Sequence, residues 1–220
     1  MNELTCFKSY DIRGKLGSEI NDEIAYRIGK AYATVIDAKS VVLGGDIRLT
    51  SESLKASLAR GLIEQGVVVY DIGLSGTEEI YFATSELNVD GGIEITASHN
   101  PIDYNGMKLV GKNSIPISRT NGLAEIKKLA ESNDFERLDE SEFGSIKKID
   151  ILDRYVSKLF TFVNLHNFNR KLKVVVNSGN GAAGHVIDAI EKIFIKNNIQ
   201  VELVKINNNP DGTFPKGIPN

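Results

Sequence analysis

The sequence predicts an α/β fold: a largely parallel sheet flanked by helices, followed by an incomplete second α/β unit. Three observations predict it. Short β-branched runs alternate with longer segments of helical periodicity. A charged, poorly periodic stretch at 133–149 interrupts that alternation and reads as a crossing between domains. Beyond it a strand, a helix and a second strand run directly into a dense turn cluster at 207–212.

The elements follow in order. Residues 21–36 read as an amphipathic helix. Asn21 is its N-cap, Asp22 and Glu23 suit the positive end of the helix dipole, and Ile24, Ile28, Ala31, Tyr32 and Val35 share a face. Ser40–Gly44 reads as a short buried strand, 51–65 as a helix closed by Gly66, and Val67–Ile72 as the next strand. Ser75-Gly76-Thr77-Glu78 matches a capping box before a helix over IYFATSEL. Strands are expected at 91–96 and 107–110 and a helix at 118–132. The second unit is expected as helix 150–163, strand 172–177, helix 182–196 and strand 200–206. The domains are thus expected at 1–149 and 150–220.

Composition narrows the function. The 41% apolar and 25% charged residues are those of a globular chain long enough to bury a core. A formal charge of −3 gives no support to binding nucleic acid or an anionic membrane. One cysteine, Cys6, excludes an internal disulfide and fits a reducing cytoplasm. His99, His166 and His185 are scattered and suggest no zinc site. The first residues lack the apolar core of a signal peptide, and no apolar run approaches the ~20 residues that span a bilayer.

The most informative stretch is GGIEITASHNPIDYNGMKLV, residues 91–110. It places Ser98 at the end of an apolar run, on a loop rich in Asn, Pro, Asp and Gly. That is where a scaffold presents a nucleophile. A hydrolase would need a G-x-S-x-G elbow, which is absent, and His99 is a poor base for its own neighbour because adjacent side chains diverge. A phosphoryl carrier fits better, since phosphoserine brings about 1.5–2 negative charges and needs cations such as Lys108 nearby. The residues alone leave open that Ser98 is simply a turn serine. They equally leave Arg13 as a surface ion pair, Arg48 with Asp46 as a structural pair, Lys108 as an outward residue of an edge strand, and His166 and His185 as packed or solvated. A second motif, Gly179-Asn180-Gly181-Ala182-Ala183-Gly184, satisfies G-x-G-x-x-G between a strand and a helix. Glu202 lies within its strand rather than past it, and only 18 residues follow it. Close helix–strand packing is therefore the preferred reading over a dinucleotide site.

Four motifs together resemble the α-D-phosphohexomutases, the family of the phosphomannomutases and phosphoglucomutases. They are Tyr10-Asp11-Ile12-Arg13-Gly14, Gly44-Gly45-Asp46-Ile47-Arg48, the TASHNP…DYNGMK loop and Pro210-Asp211-Gly212-Thr213-Phe214-Pro215, all in the family's order. The wording of the serine loop is most similar to bacterial phosphomannomutases of GDP-mannose synthesis. The resemblance implies a mixed, largely parallel sheet and an isomerase that interconverts mannose 6-phosphate and mannose 1-phosphate. Ser98 would carry the phosphoryl group, exchange it with a hexose phosphate through a bound hexose 1,6-bisphosphate, and offer a phosphate oxygen to Mg²⁺. Lys108 would act as general acid or base. Tyr10 and Arg13 would orient the phosphoryl group, and His99 and Asn100 would contact substrate beside the serine.

The family's D-G-D-x-D-R metal loop, its sugar-recognition loop and its distal phosphate loop do not occur in this sequence. The resemblance therefore covers the first domain and the opening of the second. It implies an incomplete Mg²⁺ site, no turnover by this chain alone, and self-association through the second unit.

Overall fold

In the computed structural model, residues 3–165 and 170–218 are described. The expectation for His166 lies outside them. The chain divides into two compact units, 1–149 and 150–220.

The first unit is built on a six-stranded mixed sheet. Its strands are β1 (Ile12–Lys15), β2 (Ser40–Gly45), β3 (Val68–Leu74), β4 (Gly91–Ile95), β5 (Tyr104–Gly111) and β6 (Ile146–Lys148). The order is β1-β5-β4-β2-β3-β6. β4, β2, β3 and β6 run parallel, while β5 is antiparallel to both its neighbours. The helices are α1 (Asp22–Val35), α2 (Ser51–Ile63), α3 (Thr77–Glu86) and α4 (Ala124–Ser132).

The pleat separates two faces. Ile12, Leu43, Ile93, Ile95, Met107 and Leu109 form the core with Ile28 and Tyr32 of α1, Leu58 and Leu62 of α2, and Ile126 of α4. Each fully buried aliphatic side chain of this kind contributes about 1.5–3 kcal/mol. α1 and α2 cross at two glycines. A Cβ on Gly29 would stand 2.4 Å from the Leu58 carbonyl oxygen, and one on Gly61 would stand 2.2 Å from that of Tyr26. Only hydrogen fits there, so the two backbones meet directly. α3 packs on the opposite face, where Ile80 and Thr84 lie over Gly92.

Several expectations need correction. Asn21 caps α1 as anticipated, its side chain accepting from the Ile24 N–H at 2.9 Å. The capping box of α3, however, is shifted by one residue. Gly76 is the N-cap and its N–H donates to Glu79 Oε2 at 2.9 Å, while Ser75 turns inward to another partner. The expected helix at 118–132 begins as a wide turn, Arg119–Leu123, opened by Gly122 at φ +126° before α4. The charged stretch 133–149 is not merely a crossing, because its end pairs with β3 as β6. β1 is an additional strand that the sequence reading did not anticipate. It lies outside β5, so Lys108 sits on an interior strand rather than on an edge.

In the second unit, α5 (Leu152–Phe160) and α6 (Gly184–Lys196) accompany the parallel strands β7 (Leu172–Asn177) and β8 (Val201–Ile206). Phe160 meets Phe194 edge to face at 5.8 Å, which packs α5 against α6. Parallel strands need a crossover, and α6 supplies it.

Candidate active site

The Ser98 loop leaves β4 and enters β5, so both its ends are anchored in the sheet. The Thr96 N–H donates to the Gly106 carbonyl at 3.0 Å. The Thr96 hydroxyl then turns back to accept the Ser98 N–H at 2.9 Å. Asn100 donates to the Ala97 carbonyl twice, from its side chain at 2.8 Å and its backbone at 3.0 Å. Ser98 is held at φ +55°, a left-handed conformation that costs a non-glycine residue about 1 kcal/mol. Its side chain is exposed. The hydroxyl lies 3.5 Å from His99 Nδ1, at the limit of a hydrogen bond, which is no arrangement for a nucleophile and its base.

Beneath the loop is Arg48, only 4% exposed. Its Nη1 donates to the carbonyls of Pro101 at 2.9 Å and Tyr104 at 3.0 Å. Its Nη2 donates to those of Ser98 at 2.9 Å and Asn100 at 2.6 Å. Asp46 orients it: one carboxylate oxygen accepts the Arg48 N–H at 2.9 Å and the Ser51 hydroxyl at 2.7 Å, and the other lies 3.5 Å from Nε. Asn105 continues the layer, donating to Ser51 Oγ at 3.1 Å and accepting the Gly106 N–H at 2.8 Å. Burial lowers the pKa of the Arg48 guanidinium; Asp46 opposes that, and the nearby charge of Arg13 adds to it.

Arg13 reaches the base of the loop through β1, because its register partner Gly106 is the residue whose carbonyl accepts the Thr96 N–H. Arg13 lies opposite Gly106 in the β1–β5 register, and its guanidinium binds Asp11 at 2.7 Å. Tyr10, just before it, is 79% exposed. Lys108 is two residues along β5 from Gly106, hence on the same face, and lies opposite Glu94 of β4. It is half-buried, and among the described residues it makes no ion pair. Arg13, Gly106, Lys108 and Glu94 thus line one face of the sheet, at the strand ends that carry Ser98.

Glu94 is 1% exposed and was not singled out from sequence. It accepts the Ser75 hydroxyl at 2.7 Å. Burial pushes its pKa well above 4.5. The Ser75 hydrogen bond acts the other way, and the charges of Asp46, Glu79 and Glu78 reinforce the rise. Arg48's loop partners were equally hidden. Its acceptors are backbone oxygens 50–56 residues away, which carry no residue-type signature.

The glycine motif of the second unit is closed. The Gly179 N–H donates to Asn177 Oδ1 at 3.0 Å, that of Asn180 to the Asn207 carbonyl at 2.8 Å, and that of Gly181 to the Ser178 carbonyl at 2.9 Å. A Cβ on Gly184 would meet the Asn208 carbonyl oxygen at 1.9 Å. Gly184 serves packing, and the N–H groups of Gly179, Asn180 and Gly181 are already spent within the protein rather than aimed at a pyrophosphate.

Two family models match most of the chain. Phosphoglucomutase/phosphomannomutase α/β/α domain I covers residues 5–137, and domain II of the same family covers residues 153–220. The chain belongs to the phosphoglucomutase/phosphomannomutase family. A phosphomannomutase of Escherichia coli (strain K12) is 59% identical over 220 residues, 100% of this chain and 48% of that protein. A Klebsiella pneumoniae phosphomannomutase is 60% identical over 156 residues, 71% of this chain and 99% of that protein. A crystal structure of a phosphoglucomutase/phosphomannomutase family protein from Burkholderia thailandensis superposes with a TM-score of 0.85 at 33% identity, covering 100% of this chain and 47% of that one. The chain spans about half the length of the Escherichia coli relative.

Ser98, Arg13, Arg48 and Lys108 all fall within the domain I match. The phosphoglucomutase/phosphomannomutase family uses Mg²⁺. Among the described residues no three or more His, Cys, Asp or Glu groups stand together as a metal cage. A hard cation takes about six oxygen ligands, so the residues present do not by themselves fit a Mg²⁺ site. No helix among the described residues is long and apolar enough to cross a membrane.

Proposed function

We propose that Ser98 is the phosphate carrier of a phosphomannomutase that interconverts mannose 6-phosphate and mannose 1-phosphate in the supply of GDP-mannose. The observation that carries this reading is the exposed Ser98 hydroxyl, set in a left-handed turn at a strand end over buried Arg48. The name of the 59%-identical Escherichia coli relative supports the sugar.

In the transfer a P–O bond forms to Ser98 Oγ as a bisphosphate's P–O bond breaks, and the serine proton ends on the released sugar oxygen. Lys108 is the residue proposed to relay that proton. Arg13, freed from Asp11 or shared with it, supplies a planar donor fork for the phosphoryl oxygens. Tyr10 projects beside it, and His99 and Asn100 meet the substrate at the loop. Such a reaction asks mainly for positioning and charge neutralisation. In this reading residues 1–149 are the domain that carries the phosphoserine, 150–220 belong to the second domain, and the compartment is a reducing cytoplasm. Mg²⁺ would take one oxygen from the Ser98 phosphate.

The test is intact mass after incubation with mannose or glucose 1,6-bisphosphate and Mg²⁺. One phosphoryl group gained by the wild type and none by Ser98→Ala is the expected result. No gain by the wild type sinks the reading for this chain. A second reading, association through the second unit, is favoured by Val175 of β7, which is 62% exposed. A rise in mass with concentration in light scattering would support it.

A further inference from the structure

We propose that Arg48 is a positioning residue for phosphoryl transfer: it draws the carbonyl edge of the 98–104 loop inward and so turns a backbone N–H outward beside the Ser98 hydroxyl. The inference rests on the reading of Ser98 as phosphate carrier.

A buried guanidinium must satisfy its donors. Here all four terminal N–H groups are directed to carbonyls of one short segment, those of Ser98, Asn100, Pro101 and Tyr104. The peptide bonds are trans, with no cis bond among the described residues. In a trans peptide the C=O and the following N–H point in opposite directions. An inward Ser98 oxygen therefore turns the His99 N–H outward, and an inward Pro101 oxygen does the same for Ile102. Neither N–H has an acceptor among the described residues, and both residues are exposed. The hydroxyl that would take the phosphoryl group and the His99 donor thus emerge on the same side. The guanidinium also leaves a fixed positive charge beneath them.

The arrangement depends on the planar fork, not on charge alone. A lysine has three donors on one nitrogen and cannot serve four carbonyls spread across a plane. Arg48→Lys therefore keeps the charge and loses the alignment.

The test uses the full 220-residue chain with glucose 1,6-bisphosphate and Mg²⁺, comparing wild type, Arg48→Lys and Arg48→Ala. Phosphate uptake at Ser98 is read by mass, and amide exchange is read across 97–105. Uptake by folded Arg48→Lys should fall about 100-fold, the effect of a misplacement near 1 Å. Exchange should accelerate in that loop alone. Uptake by Arg48→Ala should recover with guanidinium at non-denaturing concentration and not with ammonium. Wild-type uptake by folded Arg48→Lys overturns the proposal. So does a loss in Arg48→Ala that follows the unfolded fraction without guanidinium rescue. If Arg48→Ala does not fold, Arg48→Lys decides. If the wild type takes no phosphate, the carrier reading of Ser98 fails for this chain. Loop exchange then decides Arg48 alone: acceleration confined to 97–105 in Arg48→Lys supports its positioning role, and unchanged exchange overturns it.

Discussion

Two loops of this protein begin alike and end differently. The 96–104 loop and the 177–184 loop each leave the end of a parallel strand and are rich in small polar residues. In the first, an arginine gathers the carbonyls and leaves N–H groups facing outward. In the second, asparagines of the 207–209 turn bind the loop. The Asn180 side chain donates to the Asn209 carbonyl at 2.9 Å, and Asn208 Oδ1 accepts the Ser178 hydroxyl at 3.0 Å. A glycine-rich motif at a helix start is therefore not in itself an anion site. What decides is which backbone groups the surrounding structure has already used.

The largest effect on this contrast is expected from Asp46→Asn, which removes the carboxylate that ion-pairs Arg48. Breaking such a buried pair costs about 3 kcal/mol. The loss should appear in the urea midpoint of the first unit, with amide exchange in 177–184 unchanged. Equal disturbance of both loops would contradict their independence. Gly184→Ala is the reciprocal change. Its Cβ has no room against the Asn208 carbonyl and should cost the second unit about 2 kcal/mol, with phosphate uptake at Ser98 unaltered.

Next comes pH. Because the folded state raises the Glu94 pKa, its contribution to stability is complete below about pH 4.5 and is lost as pH rises through the folded value. The slope reaches about 1.4 kcal/mol per pH unit. Glu94→Gln should flatten that part of the thermal-unfolding profile, and an unchanged slope would assign it to another group. Gly181→Ala should matter least. Its Cβ would rest 3.4 Å from the Ser178 oxygen, so thermal unfolding should report a change within about 0.5 kcal/mol. A larger loss would mean that this position too needs a glycine.

Elements with strong periodicity were legible in the sequence. β7 falls at residues 172–177 as read, and α1 begins at its Asn21 cap. β1 was not legible because only Ile12 among its four residues is a buried aliphatic, and its pairing partner lies on β5. Missing β1 led directly to the mistaken edge position of Lys108. β6 was hidden for another reason: all three of its residues are exposed and two are lysines. At the site, Ser98 announced itself through its loop, and the family motifs pointed to Arg13 and Lys108. The loop-holding contacts of Arg48 and the burial of Glu94 did not show. Both depend on neighbours fixed only by the fold, an arginine on carbonyls some fifty residues away and a glutamate on a serine 19 residues before it.

β6 has a consequence for how the first unit behaves among its own copies. A sheet margin with unused N–H and C=O groups invites another strand, and long apolar margins do so most strongly. This one is three residues long and bears Lys147, whose ammonium lies 5.9 Å from the centre of the Tyr70 ring, and Lys148. A second molecule extending the sheet there would have to strip water from both ammonium groups for the sake of very few backbone hydrogen bonds. The same composition that hides the strand from a sequence reader also hides it from neighbouring proteins.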